Sequence, residues 1–169
     1  MNAPLVVVMG VCGCGKSTVA AGLARALGIE FLEGDTLHPA ANVARMAAGQ
    51  PLRDEDRQGW LLAIAQRLAA AHAQACGLVV SCSALKRSYR DVLRSGAPGL
   101  HFIHLHGERA VLEQRLAARS GHYMPATLLQ SQLDALQAPQ PDEQAIELDI
   151  ALPPAELARL ALLQLKGSP

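Results

Sequence analysis

Residues Gly10 to Thr18 read Gly-Val-Cys-Gly-Cys-Gly-Lys-Ser-Thr, a complete G-x-x-x-x-G-K-[ST] loop. The apolar run Leu5-Val6-Val7-Val8-Met9 leads into it, and a helix-forming stretch beginning Val19-Ala20-Ala21 leaves it. No other feature constrains the fold as much. A helix that aims its N-terminal N–H groups at a phosphate has to be fed by a buried strand, and that unit belongs to an α/β sheet. Gly10, Gly13 and Gly15 free the backbone so that N–H groups from Gly10, Val11, Cys12, Gly13, Cys14 and Gly15 can turn toward one anion, with Thr18 following in the helix. Lys16 reaches the β- and γ-phosphates, and the Ser17 hydroxyl is the expected Mg²⁺ ligand. The loop therefore implies a bound nucleoside triphosphate.

Strand-length apolar runs alternate with helix-period segments along the rest of the chain, the pattern of a parallel α/β fold. Strands are expected at Ile29 to Leu32, Leu78 to Cys82, Leu100 to His106 and Ala145 to Ile150, in addition to the first. Helices are expected from Lys16 to Leu27, Pro39 to Ala48, Asp54 to Ala75, Lys86 to Arg94, Glu108 to Arg119, Ala126 to Leu136, and from Pro153-Pro154 to about Leu165. In the long third helix Trp60, Leu61, Ile64, Ala65 and Leu68 share one apolar face. The expected fold is a three-layer P-loop NTPase of the nucleoside-monophosphate kinase type. Its five-stranded parallel sheet is flanked by helices in one domain over residues 1–169, with a lid segment at about 115–141.

Composition narrows the partners. Fifteen Lys and Arg balance fifteen Asp and Glu, and aromatic residues make up 3%. A neutral chain with few stacking platforms is not expected to bind nucleic acid. No apolar run approaches the roughly 20 residues that span a bilayer. Met1-Asn2-Ala3-Pro4 runs directly into the first strand, so no signal peptide, no membrane association and a cytoplasmic location are expected. Cys76 and Cys82 flank an apolar strand and read as small buried hydrophobes. Cys12 and Cys14 read as small loop residues turned away from phosphate. Their place beside Lys16 and a helix N-terminus also raises the alternative of an activated, oxidisable thiol.

In open parallel sheets ligands sit beyond the strand C-termini. After the second strand Asp35 offers a carboxylate to an acceptor hydroxyl, as base, as orienting group, or as a holder of Mg²⁺ through water. The third strand ends Val80-Ser81-Cys82-Ser83, without a Walker-B aspartate, which puts more weight on Asp35. Next, Lys86, Arg87 and Arg90 crowd the opening of a helix, the end that the helix dipole makes unfavourable for cations. An anionic ligand explains them, with Arg87 and Arg90 one turn apart as a grip for a carboxylate and Arg53 within reach of the same anion. Asp54 and Asp56 read as caps of the long helix. Arg115 and Arg119, on one helix face before the lid segment, suit charge stabilisation on a transferring phosphoryl group, Arg119 as a catalytic residue with Lys16 and Asp35.

Taken together these segments resemble the gluconokinase family. The resemblance rests on Met9 to Ser17, Gly34-Asp-Thr-Leu-His-Pro39, Asn42 with Met46, Gly49-Gln-Pro-Leu-Arg-Asp54, Asp56-Arg57 with Trp60-Leu61, Ser81-Cys-Ser-Ala-Leu-Lys-Arg-Ser-Tyr-Arg90, Gly121-His-Tyr-Met124 and Leu129-Gln-Ser-Gln132. It implies a shikimate-kinase-like fold, a homodimer, and transfer of the γ-phosphoryl group of ATP, with Mg²⁺, to the 6-hydroxyl of D-gluconate. It also implies gluconate recognition by Arg53, Lys86, Arg87 and Arg90, with hydrogen bonds from Asp35, His38, His122 and Gln132. The chain departs from the family in having Cys12 and Cys14 where serine is usual and Tyr123 in place of phenylalanine. The alternatives are another small-acid kinase of the same fold, such as a shikimate kinase, and a nucleotide-dependent switch. Glu33-Gly34-Asp35 and Ser83-Ala84-Leu85 do not match the Asp-x-Asp and glycine triplet of shikimate kinases.

Overall fold

The computed structural model describes residues 3–119 and 126–167. At its centre β1 (Leu5–Met9) lies between β3 (Leu78–Ser81) and β4 (His101–His106), all parallel, with Val7 opposite Val80 on one side and Phe102 on the other. The edges are β2 (Glu30–Glu33) and β5 (Ile146–Asp149), giving the order β2-β3-β1-β4-β5. Burial explains the composition of each strand. Every residue of β1 and β3 is buried, so these strands carry no charge, as a sheet flanked by helices requires. In edge strand β5, Ile146 and Leu148 face inward while Glu147 and Asp149 are exposed.

The helices are α1 (Lys16–Leu27), α2 (Ala40–Ala47), α3 (Asp54–Ala73), α4 (Arg87–Gly96), α5 (Arg109–Ala118), α6 (Ala126–Ala135) and α7 (Pro154–Gly167). Helix α1 packs with α7 and α3 with α4. The expected stripe on α3 is buried: Trp60, Leu61, Ile64, Ala65 and Leu68 all lie in the core. Glu55 and Asp56 add negative charge to its first turn, and the Asp56 carboxylate accepts the Arg53 backbone N–H at 2.9 Å.

The sequence-based boundaries shift by one or two residues, several of them for identifiable reasons. Gly28 closes α1 in the left-handed region and the Ile29 N–H bonds back to the Ala24 carbonyl at 3.1 Å, so β2 starts at Glu30. Lys86 has extended dihedrals and flanks α4, which starts at Arg87. The stretch after β2 is a 3-10 turn over Gly34–Leu37, which lifts Asp35 out of the strand. Cys82 is buried as expected, but Cys76 is exposed, because it follows α3 on the loop into β3. Of the lid segment, residues 120–125 lie outside the described residues.

Candidate active site

The phosphate loop connects β1 to α1 through left-handed backbone. Gly13 and Gly15 have φ of 83° and 87°. At Gly13 a Cβ would come within 2.9 Å of Leu116 Cγ and 3.1 Å of the Leu112 carbonyl, so the position excludes a side chain by conformation and by space. Ser17 and Thr18 are exposed in the first turn of α1, and the Lys16 ammonium lies along the loop, donating to the Val11 carbonyl at 3.1 Å. Val11, Cys12 and Cys14 are buried and belong to the hydrophobic core. Burial pushes the Cys12 thiol above its ordinary value despite the opposing Lys16 charge. Burial therefore works against an activated thiol at Cys12, since desolvation outweighs the nearby cation.

Arg115 crosses behind the loop, donating to the Cys14 carbonyl at 3.5 Å and to the Ile150 carbonyl at 2.5 Å. The structure thus places Arg115 against the loop backbone. Arg119 follows α5 and is exposed.

One cleft joins this loop to the ends of β2 and β3. Lys16 and Cys12 line it from the loop, Asp35 and His38 from the turn after β2, Arg57 and Trp60 from α3, Ser83 from the end of β3, and Ser131 and Gln132 from α6. Gln132 Oε1 accepts the Cys12 backbone N–H at 2.7 Å and so ties α6 to the loop. Asp35 presents an exposed carboxylate, with His38 Nε2 3.9 Å from its Oδ1. Its backbone is anchored by close approach: a Cβ on neighbouring Gly34 would lie 2.1 Å from the Ser81 carbonyl, and the Gly34 carbonyl accepts the Trp60 indole N–H at 2.8 Å. The His38 ring stacks on Trp60, with centroids 4.1 Å apart. Burial lowers the His38 pKa, the Asp35 carboxylate opposes that, and Arg57 adds to it, so the net effect favours the neutral ring.

The cations at the start of α4 are all paired within the chain. The Arg90 side chain is fully buried, and its guanidinium grips Glu143 through Nε at 2.6 Å and Nη2 at 2.8 Å. Its Nη1 donates to the carbonyls of Ala84 and Leu85. Arg90 is therefore a brace between α4 and the turn before β5, closed to a substrate. Arg87 points away from the cleft to Asp142, with bonds of 3.1 and 2.5 Å, and Lys86 pairs with Asp54 at 2.9 Å. Arg53 pairs with Asp56 at 3.0 Å. The four cations expected to hold a ligand anion are neutralised by carboxylates of the chain itself, and none of them lines the cleft. Asp54, read as a helix cap, instead meets Lys86 and accepts the Tyr89 hydroxyl.

The cation that does line the cleft with Lys16 is Arg57, not singled out from the sequence as a ligand. It is buried, and its Nη1 donates to the Tyr89 hydroxyl at 3.0 Å. A signal was present: Arg57 stands three, four and seven residues before Trp60, Leu61 and Ile64, a charge on the buried stripe of α3. Ser83 and Ser131 carried no such signal. His122 lies outside the described residues.

Comparison with known proteins gives the family and the fold. A family model described as an AAA domain matches residues 5–139. The gluconokinase of Gluconobacter oxydans is 50% identical over 146 residues, covering 84% of this chain and 80% of that protein. The solved structure of a gluconokinase from Sinorhizobium meliloti superposes with a TM-score of 0.90 at 49% identity, covering 98% of this chain and 93% of that one. Shikimate kinase from Aquifex aeolicus, at 16% identity and a TM-score of 0.60 over 96% of each chain, shares the fold. With a five-stranded parallel sheet, a phosphate loop and relatives at this level of identity, the chain belongs to the gluconokinase family of P-loop kinases.

Proposed function

We propose that the chain transfers the γ-phosphoryl group of ATP to the 6-hydroxyl of D-gluconate, releasing ADP and 6-phospho-D-gluconate. The observation that carries this reading is the single cleft in which Lys16, Asp35 and Arg57 meet, a phosphate-loop cation, a carboxylate and a second, buried cation. Family membership supplies the substrate class.

The Gly10, Cys12 and Cys14 N–H groups meet Ser83, Gln132 and Val11 within the chain, so the triphosphate is held by the remaining loop N–H groups and the N-terminus of α1, with Lys16 countering its charge. The exposed Ser17 hydroxyl and, through water, the Asp35 carboxylate fit Mg²⁺ as oxygen donors. When bound, the ion neutralises charge on the β- and γ-phosphate oxygens. Asp35 accepts the proton of the 6-hydroxyl as its oxygen bonds to phosphorus and the bond to ADP breaks. Arg57 is the cation for the gluconate carboxylate, replacing the α4 cluster in that role. Burial strengthens such a charge-assisted bond. His38, Ser83 and Gln132 serve the polyol hydroxyls, joined by His122. Arg115 and Arg119 stabilise charge near the loop, Arg119 from its exposed position after α5.

Among the described residues no helix is long and apolar enough to cross a membrane. A cytoplasmic homodimer is the setting we infer from the family resemblance, and light scattering tests the dimer. The reaction is tested by ADP release from Mg-ATP with a panel of sugar acids, sugars, shikimate and nucleoside monophosphates. Gluconate should stimulate release most strongly. Stimulation by another acceptor with none by gluconate would overturn the reading.

A further inference from the structure

Beneath the cleft, a side-chain amide settles which nitrogen of His38 carries its proton. Asn42, on α2, is buried; its Nδ2 donates to the Asp56 carbonyl at 2.7 Å and stands 3.2 Å from His38 Nδ1. That bond orients the amide, because a backbone carbonyl only accepts and must face the NH₂ group. The second N–H then faces Nδ1, which has to present a lone pair. A neutral imidazole with its lone pair on Nδ1 carries its hydrogen on Nε2. That nitrogen stands 3.9 Å from Asp35 Oδ1, in the cleft. The stack on Trp60 holds the ring plane, and the Trp60 indole N–H is itself fixed on the Gly34 carbonyl next to Asp35.

We propose that Asn42 is a positioning residue for phosphoryl transfer, holding His38 as the Nε2–H tautomer so that a fixed donor stands beside the Asp35 carboxylate. An alcohol both donates and accepts, and this pair is its complement: Nε2–H gives a hydrogen bond to the hydroxyl oxygen, and Asp35 takes the hydroxyl proton. The opposite tautomer would aim two acceptors at one hydrogen. During transfer the proton passes to Asp35 and His38 keeps its own. The inference deepens the proposed kinase reaction and rests on that reading of the cleft.

The test has a spectroscopic arm independent of any substrate. In protein labelled with ¹⁵N-histidine, the His38 ring of the wild type should show a pyridine-type Nδ1 and a pyrrole-type Nε2. Asn42→Asp puts an acceptor opposite Nδ1 and should move the proton there. With it kcat should fall roughly 10- to 100-fold while the KM for ATP stays within about 2-fold, a smaller loss than where a wrong tautomer disables the base itself. His38→Gln keeps an N–H donor but has no tautomer, so Asn42→Asp in that background should cost less than about 3-fold, a coupling that a merely structural Asn42 would not show. A wild-type ring protonated on Nδ1 overturns the proposal, as does a switched tautomer with unchanged kcat. Should Asn42→Asp fail to fold, the wild-type spectrum and Asn42→Ala decide. Asn42→Ala should populate both tautomers and lose kcat, and an unchanged kcat with mixed tautomers counts against the role. Absence of gluconate turnover would strike the proposed substrate and leave the tautomer result standing.

Discussion

The phosphate loop and the start of α4 are both short, motif-like and rich in groups that bind anions, yet they stand in opposite relation to the rest of the chain. The loop works through its own backbone. Its left-handed glycines and the helix that follows are local features, and the distant residues it meets, Gln132 and Arg115, bond its backbone. The start of α4 works through side chains whose partners are distant. Arg87 and Arg90 meet Asp142 and Glu143, which lie 55 and 53 residues away, and Lys86 meets Asp54 at a separation of 32. A motif that acts through local conformation announces its function, whereas a charge cluster announces only that it needs counter-charge. Here the chain provides that counter-charge, and the cation we propose to face the substrate is Arg57, on the buried stripe of α3.

That contrast can be broken at each end. The largest effect is expected at the carboxylate between them: Asp35→Asn should lower kcat by about 10²- to 10⁴-fold while ATP binding, followed by calorimetry, persists. Near-wild-type turnover would reject Asp35 as the proton acceptor.

At the α4 end, Glu143→Ala strands the fully buried Arg90 and should cost about 3–5 kcal/mol of stability, read from denaturant melts. A loss below about 1 kcal/mol would show that the clamp is not a structural brace. This pair also carries a pH signature. The Arg90 guanidinium and the Arg94 bond hold the Glu143 carboxyl at about 2, below its ordinary 4.5, against the opposing effect of burial. A depressed carboxyl stabilises the fold fully above the ordinary value and loses that contribution as the pH falls toward 2. The Tm difference between wild type and Glu143→Gln should therefore be largest near neutral pH and shrink below about pH 4.5.

At the loop end, Gly13→Ala forces a side chain into left-handed backbone 2.9 Å from Leu116 Cγ. About 1–2 kcal/mol of conformational strain should raise the KM for ATP about 10-fold with the gluconate KM little changed. An unchanged ATP KM would mean that the loop tolerates what its geometry excludes.

These contrasts explain what could be read from the sequence. The strands, the α3 stripe and the phosphate loop follow from periodicity and local conformation, and all are present within one or two residues of expectation. Asp35 and His38 reach the cleft because they directly follow a strand end, a position that parallel sheets reserve for ligands. Arg57 was hidden because it closes a charged run, Arg53-Asp54-Glu55-Asp56-Arg57, that reads as an exposed helix start, and its cleft forms only when α3 meets the turn after β2. Arg90 was misread because nothing near it in sequence shows Glu143 closing over its guanidinium. Cys12 fits its main reading as a small residue turned away from phosphate, since its burial outweighs the adjacent charge.

If Arg57, rather than the α4 cations, recognises the acceptor carboxylate, the gluconate KM of two variants will separate them. Removing a buried charge-assisted bond in Arg57→Gln should raise that KM about 10- to 100-fold, whereas Arg87→Ala, which removes only an exposed pair with Asp142, should stay within about 2-fold. A large rise in Arg87→Ala with a wild-type KM in Arg57→Gln would contradict the account.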